Sequence, residues 1–311
     1  MNLVVSLKYL VALDDHRHFG RAALACHVTQ PALSNAIRAL EASFGTAIVK
    51  RGRSFGGFTV EGERILATAR RMLREQELLQ QDLQSSATHP RGQLLIGAVP
   101  TAMPIAARFA AILQDRHPGI VPTLRSMSSI ELETGLENLA LDMALGYAER
   151  TTGSTARLRV VPQYVERYYL LRRVADGTGA GLRVGPAVTW AEAAALPLCL
   201  LSAEMHNRTI VDGAFAAAGV RVSPAIETNS ILALVLSVLA GRVCSVMPGA
   251  LVGAALAQPG IEALPLETPT IEVPIAFMVH DTDRQPRTVD AALALAEDPE
   301  WRTQAERHAC C

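Results

Sequence analysis

The chain has 311 residues, of which half are apolar and 19% are charged. This composition is typical of globular proteins, it excludes disorder as the dominant state, and the length suggests about two domains. Only 5% of the residues are aromatic, which disfavours a broad aromatic binding platform. The net charge is −1, but residues 16–74 hold 10 basic and 3 acidic side chains. A basic N-terminal part joined to an acidic remainder indicates a polyanionic partner for the first part only.

Three helices are predicted before residue 45. Apolar residues recur at near-helical spacing from Leu3 to Leu13, and the alanine-rich segment Arg21–Cys26 predicts a second helix. Thr29 and Pro31 mark the start of a third, since a hydroxyl caps free N–H groups and proline is tolerated in the first turn. The turn at residues 27–29 is short, so the second and third helices are expected to cross steeply.

The third helix has one apolar and one polar side. Leu33, Ile37 and Leu40 are predicted to face inward. The opposite side carries short polar groups and an arginine, which suit reading base edges in a major groove. A glycine-rich basic hairpin between two short strands, at 48–49 and 58, offers flanking contacts to phosphate or the minor groove. The candidate DNA-contacting residues are Arg21, Thr29, Gln30, Pro31, Ala32, Ser34, Asn35, Arg38, Lys50, Arg51, Arg53 and Ser54. Taken singly, several of these side chains are also explained as helix caps or solvated charges.

Residues 60–86 predict one long helix with a narrow apolar seam. The seam steps alternately by four and three residues, through Ile65, Ala69, Met72, Gln76, Leu79 and Leu83. That spacing is typical of a coiled coil. A helix packed on its own chain is the alternative, but we favour self-association because the seam has no other obvious surface to cover. The proline and glycine at 90 and 92 end the helix, which places the domains at residues 1–59, 60–88 and 89–311.

The remainder alternates strand-like and helical runs. The alternation runs from Leu94 to Tyr147 and resumes from Leu198 to Met247, with one strand expected at Val222–Glu227. It is the pattern of α/β domains with mostly parallel sheets. A long strand-like segment, Tyr164–Arg172, lies in the interruption. The spacing predicts two small α/β lobes joined by crossover strands.

Several N-terminal motifs resemble those of the LysR-type transcriptional regulators. They are Leu7-x-Tyr9-Leu10-Val11-Ala12-Leu13, Phe19-x-Arg21-Ala22-Ala23, Val28-Thr29-Gln30-Pro31-Ala32-Leu33-Ser34, Ile37-x-x-Leu40-Glu41 and Thr59-x-x-Gly62-Glu63. The resemblance implies an α+β multidomain fold with an N-terminal winged helix-turn-helix, a long dimerising linker helix and a C-terminal two-lobed α/β domain similar to periplasmic binding proteins. It also implies a tetramer as the usual assembly. The family's hydrophobic-Phe-x-Arg after the third helix is here Ile48-Val49-Lys50-Arg51, which puts the details of the wing in question.

In two-lobed α/β domains, ligands bind between the lobes, where strands end and helices begin. Such junctions and the end of one strand give these candidate effector-binding residues: Pro100, Thr101, Ala102, Ser128, Ser129, Tyr147, Met205, Asn207, Arg208, Asn229 and Ser230. Free N–H groups, hydroxyls and an arginine favour a small carboxylate. The alternatives are that the polar residues are ordinary N-caps, that Arg208 makes a structural salt bridge and that Tyr147 belongs to the core.

The sequence therefore predicts a sequence-specific DNA-binding regulator that responds to a small-molecule effector. The expected partners are double-stranded DNA, a small organic anion, a second copy through the linker helix, a homotetramer and, as a further candidate, RNA polymerase. Catalytic motifs such as G-x-S-x-G and H-E-x-x-H are absent from the sequence, and its five cysteines form no C-x-x-C pair, so no enzyme, metal site or cofactor is indicated. The free cysteines and the apolar run with Arg242 inside it favour a cytoplasmic protein without membrane spans. The alternative is a small-molecule binding protein whose helical head serves only assembly.

Overall fold

The computed structural model describes residues 2–50, 52, 55–84, 89–149, 157–174, 183–254, 260–282 and 285–309. The chain divides into two compact units. The first unit contains four helices, α1 (Leu3–His16), α2 (Phe19–Ala25), α3 (Gln30–Phe44) and α4 (Val60–Gln84). The second contains two β-sheets with their covering helices.

Local hydrogen bonds fix the ends of α2 and α3. The Nδ1 atom of His18 accepts from two backbone N–H groups at the start of α2, and Thr29 Oγ1 accepts from the N–H of Ala32 at the start of α3. Between these helices His27 adopts a left-handed φ of 54°, which lets the chain reverse within a short turn. Gly45, with a φ of 67°, ends α3 as glycine readily does. The expected helix, turn and helix are therefore present.

The segment after α3 is tied to that helix through Glu41. Its Oε1 atom accepts from the N–H groups of Ile48 and Val49, at 2.8 and 3.2 Å. Val49 then pairs with Phe58 in an isolated antiparallel bridge. The two predicted strands are thus reduced to one bridge, because Glu41 takes up N–H groups that a longer ladder would use.

The second unit is built from two lobes. The first lobe has a five-stranded sheet in the order β2-β1-β3-β12-β4, in which β1, β2 and β3 are parallel and β12 and β4 run against their neighbours. Its strands are β1 (Gly92–Ala98), β2 (Ile120–Ser126), β3 (Met143–Tyr147), β4 (Leu158–Glu166) and β12 (Val273–His280). Its helices are α5 (Met103–Arg116), preceded by a 3₁₀ turn at Pro100–Ala102, α6 (Ser129–Glu137), α11 (Arg287–Glu297) and α12 (Pro299–Ala309).

The second lobe has a sheet in the order β6-β11-β5-β10-β8-β9, with β7 also paired to β11. Its strands are β5 (Tyr168–Arg173), β6 (Arg183–Val184), β7 (Val188–Thr189), β8 (Leu198–Leu201), β9 (Ile226–Thr228), β10 (Cys244–Pro248) and β11 (Ile261–Glu267). Its helices are α7 (Trp190–Ala194), α8 (His206–Ala217), α9 (Ile231–Ala240) and α10 (Gly249–Ala254). The chain passes from one sheet to the other twice, between β4 and β5 and between β11 and β12.

Two predicted strands need correction. The segment Tyr164–Arg172 is not one strand, because the chain changes sheets at Arg167 and divides it between β4 and β5. The strand expected at Val222–Glu227 is only three residues long and lies at Ile226–Thr228, where β8 supplies its pairing partner.

The apolar run that begins at Ile231 folds as a helix, a strand and a second helix, namely α9, β10 and α10. Within the described ranges, every helix is too short or too polar to cross a membrane.

Candidate DNA-binding and effector-binding sites

The outer face of α3 is free in the first unit. Gln30, Pro31, Ala32, Asn35 and Arg38 are exposed and Ser34 is half-buried. The inner face is buried, through Leu33, Ile37 and Leu40. The helix is therefore buried on one side only, and its polar side is not used for packing. Reading a DNA groove requires such an exposed side.

Hydrogen bonds hold two of the expected basic side chains in place. Arg21 donates from Nη2 to the carbonyl of His16 at 2.9 Å, and Arg38 donates from Nη1 to Asn35 Oδ1 at 3.2 Å. Lys50 follows Val49 of the isolated bridge and is exposed. Three further candidates, Arg51, Arg53 and Ser54, lie outside the described residues.

A small cavity lies between the two lobes of the second unit. The first lobe lines it with residues that follow β1 and β2 and with the end of β3, and the second lobe lines it with the start of α8. The lining residues are Val99, Pro100, Thr101, Ser128, Ser129, Tyr147, Met205, His206 and Asn207. Its volume of about 10 Å³ has room for about one water molecule. The carboxyl ends of strands and the starts of helices thus meet at one point between the lobes, as the sequence predicts.

Buried hydrogen bonds organise the polar side of this cavity. The hydroxyl groups of Thr101 and Tyr147 are 3.2 Å apart, and Asn207 Nδ2 donates to the hydroxyl of Tyr168 at 3.0 Å. Burial raises the pKa of the Tyr147 phenol, and a nearby buried carboxyl, Glu166, adds to that effect. These hydroxyls therefore remain neutral and able to donate at physiological pH.

The His206 ring packs edge-on against Tyr147, with ring centroids 4.7 Å apart. Its Nε2 atom lies 3.2 Å from Glu149 Oε1. His206 thus joins the two lobes, because α8 belongs to the second lobe and Glu149 follows β3 of the first.

The helices that begin at the cavity differ in their caps. Ser128 caps α6 and exchanges hydrogen bonds with Glu131, whose Oε2 atom is 2.7 Å from the backbone nitrogen of Ser128. Val99, before the 3₁₀ turn, and Met205, before α8, provide no side-chain cap. Their helix starts therefore present backbone N–H groups without a side-chain acceptor, which suits an acceptor on a ligand.

Four predicted effector-binding residues are not among those that line the cavity: Ala102, Arg208, Asn229 and Ser230. The Arg208 guanidinium donates from Nε to Asp212 Oδ1 at 2.8 Å and from Nη1 to Glu227 Oε1 at 2.7 Å. Its Nη1 atom also donates to the carbonyl of Leu201. Arg208 thus makes the salt bridges of the alternative interpretation and does not line this cavity, and its contact with an effector stays a prediction.

The remaining three residues have local roles. Ser230 Oγ accepts from the N–H of Ala233 as an ordinary N-cap of α9. Ala102, the last residue of the 3₁₀ turn, is completely buried. Asn229 precedes α9 at the end of β9, and nothing in the structure gives it a contact with the cavity.

Val99 and His206 also line the cavity, although they are not among the predicted residues. Both are neighbours of predicted residues, so the strand-end rule that identified Pro100 and Met205 also covers them. Glu166 has no signal in the sequence, because its burial depends on where the chain changes sheets. Within the described ranges, no group of three or more His, Cys, Asp or Glu side chains is arranged to hold a metal ion.

Family models match both units. The model of the bacterial regulatory helix-turn-helix protein, lysR family, matches residues 5–63, and the model of the LysR substrate binding domain matches residues 87–298. The chain belongs to the LysR family. Its first unit matches the family's helix-turn-helix and its second unit the family's substrate-binding domain, and the relatives it matches are named as transcriptional activators or regulators.

The chain is similar to several individual regulators. It is 36% identical over 140 residues to the hydrogen peroxide-inducible genes activator of Pectobacterium carotovorum subsp. carotovorum, covering 45% of this chain and 46% of that protein. It is 34% identical over 163 residues to the SDS degradation transcriptional activation protein of a Pseudomonas species, covering 52% and 51%. The chain therefore aligns with about half the length of these curated relatives.

Solved structures share the whole fold. A full-length OxyR variant from Pseudomonas aeruginosa superposes with a TM-score of 0.69 at 24% identity, covering 94% of this chain and 96% of that one. Full-length CbnR in complex with its target DNA superposes with a TM-score of 0.67 at 20% identity, covering 98% and 100%. At these identities the likeness supports the fold and no finer statement.

Proposed function

We propose that this regulator binds a small organic anion between the two lobes of its effector-binding unit, and that binding changes how it engages specific DNA. One observation carries the proposal. Residues from three strand ends of one lobe and from the start of α8 in the other converge on a single cavity. A ligand that contacts both lobes favours one arrangement of them over another.

The anion would be held by dipoles instead of a charged side chain. Arg208 is engaged by two carboxylates, so the donors on offer are the backbone N–H groups at Thr101 and at the start of α8, together with buried hydroxyls. Helix starts of this kind favour a single negative charge. A small monocarboxylate matches these donors. Because the cavity holds about one water molecule, a larger acid has to part the lobes to enter.

A thermal-shift screen of small organic acids on the full chain tests this site. A ligand at about 100 times its Kd stabilises the unit that binds it by about 2.7 kcal/mol. Thr101→Val should abolish the shift, whereas Ser202→Ala, which removes another hydroxyl at a strand end outside the cavity, should leave it. A shift that survives Thr101→Val and Asn207→Leu would place the ligand elsewhere.

The DNA-reading residues remain a proposal as well. Binding to the protein's own promoter region, measured by fluorescence anisotropy at a stated salt concentration, should weaken about 5- to 150-fold in Gln30→Ala or Asn35→Ala, because a base-edge contact contributes about 1–3 kcal/mol of discrimination. Ser43→Ala, at the exposed far end of α3, is the matched control. Equal affinity for the promoter and a scrambled duplex, unchanged by these variants, would contradict sequence-specific reading and favour a head that serves only assembly.

We also propose that the protein forms a homodimer through α4, and a tetramer from two such dimers. The first part of the α4 seam packs on its own unit through Ala69, which is 1% exposed. Further along, Met72, Leu79 and Leu83 are exposed, and a groove of about 450 Å³ adjoins Met72. Leu79→Glu should convert the assembly to monomers in sedimentation velocity, whereas Glu77→Gln, which lies away from the seam on the same helix, should not. An unchanged assembly would remove α4 as the interface.

The names of several relatives raise peroxide as an alternative signal, which would require a reactive thiolate. Burial raises the pKa of the thiols of Cys26, Cys199 and Cys244. Because the thiols among the described residues are disfavoured as thiolates, we favour small-molecule binding over thiol oxidation as the signal. Cys310 and Cys311 lie outside the described residues.

A further inference from the structure

Glu166 lies where the chain leaves the first lobe for the second. It is the last residue of β4, and β5 begins two residues later at Tyr168. Its side chain is completely buried, and among the described residues neither carboxyl oxygen has a hydrogen-bond partner. An unpartnered buried carboxyl is rare enough in folded proteins to require an explanation.

In the part of the chain that the structure describes, aromatic hydroxyls surround Glu166 and no cation balances its carboxylate. Tyr147 of β3, Tyr164 of β4 and Tyr168 of β5 all lie close enough to interact electrostatically with it. Across the ladder its partner in β12 is the apolar Val273. The Tyr164 hydroxyl is close to the carboxyl but outside strict hydrogen-bonding geometry, so it favours the carboxylate only through its dipole.

The charged groups around this junction are engaged with one another. Arg167 donates to Glu272 at 3.0 and 2.7 Å at the surface. On the cavity side, His206 lies against Glu149, and Arg208 of α8 is held by Asp212 and Glu227.

Burial therefore controls the protonation of Glu166. It raises the pKa of this carboxyl from 4.5 to about 8, with a small opposing effect from Tyr164. At pH 7 the neutral acid then outnumbers the carboxylate by about ten to one. A neutral acid is tolerated at a fully buried position, whereas a carboxylate without partners is not.

We propose that Glu166 is a proton-binding site of the effector-binding unit, and that the proton bound there holds the junction between the two sheets closed. An ionised Glu166 needs water, and water reaches it only when β4 and β5 separate from their neighbours. Opening is therefore linked to loss of the proton. Glu166 binds a proton and not the effector, so this proposal does not depend on the anion proposed above.

Hydrogen exchange of the full-length protein, measured by mass spectrometry from pH 5.5 to 9.5 and corrected for intrinsic exchange rates, tests the proposal. Peptides that cover Leu158–Arg173 should lose protection about tenfold per pH unit up to about pH 8 and then level off, because the open state holds an ordinary carboxyl. In Glu166→Gln the protection of these peptides should not vary with pH.

Two further variants keep the test decisive. Glu272→Gln removes an exposed carboxyl beside Val273 and should keep the wild-type slope. Tyr164→Phe removes the hydroxyl that lowers the pKa of Glu166, so the levelling-off should move to higher pH. The same slope in wild type and Glu166→Gln would overturn the proposal. If Glu166→Gln does not fold, two other results would overturn the proposal equally. One is protection of the wild-type peptides that does not vary with pH, and the other is a levelling-off in Tyr164→Phe at the wild-type pH.

Discussion

Arg208 and Glu166 are both buried in the effector-binding unit, but the surroundings favour the charged form of Arg208 and the neutral form of Glu166. Arg208 is 8% exposed and donates to two carboxylates and a backbone carbonyl. Burial alone would lower the pKa of its guanidinium, but these partners outweigh that effect and raise it. Within the described ranges Glu166 has no such partner, and burial favours its neutral form instead. A buried ionisable group is therefore either paired with groups of opposite charge or held in its neutral form. Only a buried carboxyl held neutral makes the stability of the structure depend on pH near neutrality.

The largest expected effect comes from removing the titratable group. The folded-state pKa of Glu166 is raised, so its stabilising effect is complete below pH 4.5 and is lost as pH rises to about 8. Relative to Glu166→Gln, the wild-type free energy of unfolding should fall by up to about 5 kcal/mol across that window. Urea unfolding followed by tryptophan fluorescence measures it, since Trp190 and Trp301 both lie in this unit. Parallel stability curves for the two proteins would show that Glu166 titrates normally.

Removing the paired charge should cost less and should not depend on pH between 6 and 8. Arg208→Met leaves two carboxylates and the Leu201 carbonyl without their donor. The carboxylates are about half exposed and can hydrate, so we expect a loss of about 3 kcal/mol, at the lower end for broken buried pairs. Arg167→Met is the matched control, because its pair with Glu272 is exposed and should contribute less than about 1 kcal/mol. Equal losses in the two variants would remove the distinction.

The DNA-binding head is the region that the sequence predicts best. Its elements are set by neighbours in the chain: Thr29 caps α3, Pro31 sits in the first turn, and the spacing of Leu33 and Ile37 decides which side is buried. The same local rule fails for the wing, where Glu41 takes the N–H groups of Ile48 and Val49 and leaves one bridge.

The cavity between the two lobes can be predicted only from the ends of the strands. Thr101, Ser128 and Asn207 follow from the rule that ligands bind where parallel strands end. The role of Arg208 does not follow, because its partner Glu227 lies 19 residues away on β9 and comes beside it only in the folded lobe. Glu166 is also hidden, since a continuous apolar segment gives no sign that the chain changes sheets at Arg167.

A smaller effect should come from the neutral hydroxyls near Glu166. Thr101 and Tyr147 are 1% and 3% exposed and their hydroxyls form one hydrogen bond. Thr101→Val and Tyr147→Phe should each cost about 1–2 kcal/mol, and the double variant should cost less than their sum by about 1 kcal/mol. A double-mutant cycle by urea unfolding measures this coupling. Strict additivity would mean that the two hydroxyls do not stabilise each other.

The smallest effect concerns the thiols, which stay neutral on burial as Glu166 does. Cys244 pairs with Leu198 and Ser245 pairs with Cys199 in the ladder between β10 and β8. Because successive residues of a strand point to opposite faces, the two thiols lie on opposite sides of the sheet and cannot approach each other. In a variant with Cys26, Cys310 and Cys311 changed to serine, peroxide should cause no loss of two hydrogens in the intact mass and no change in promoter affinity. A Cys199–Cys244 disulfide formed in the folded protein would contradict this register and reopen thiol oxidation as the signal.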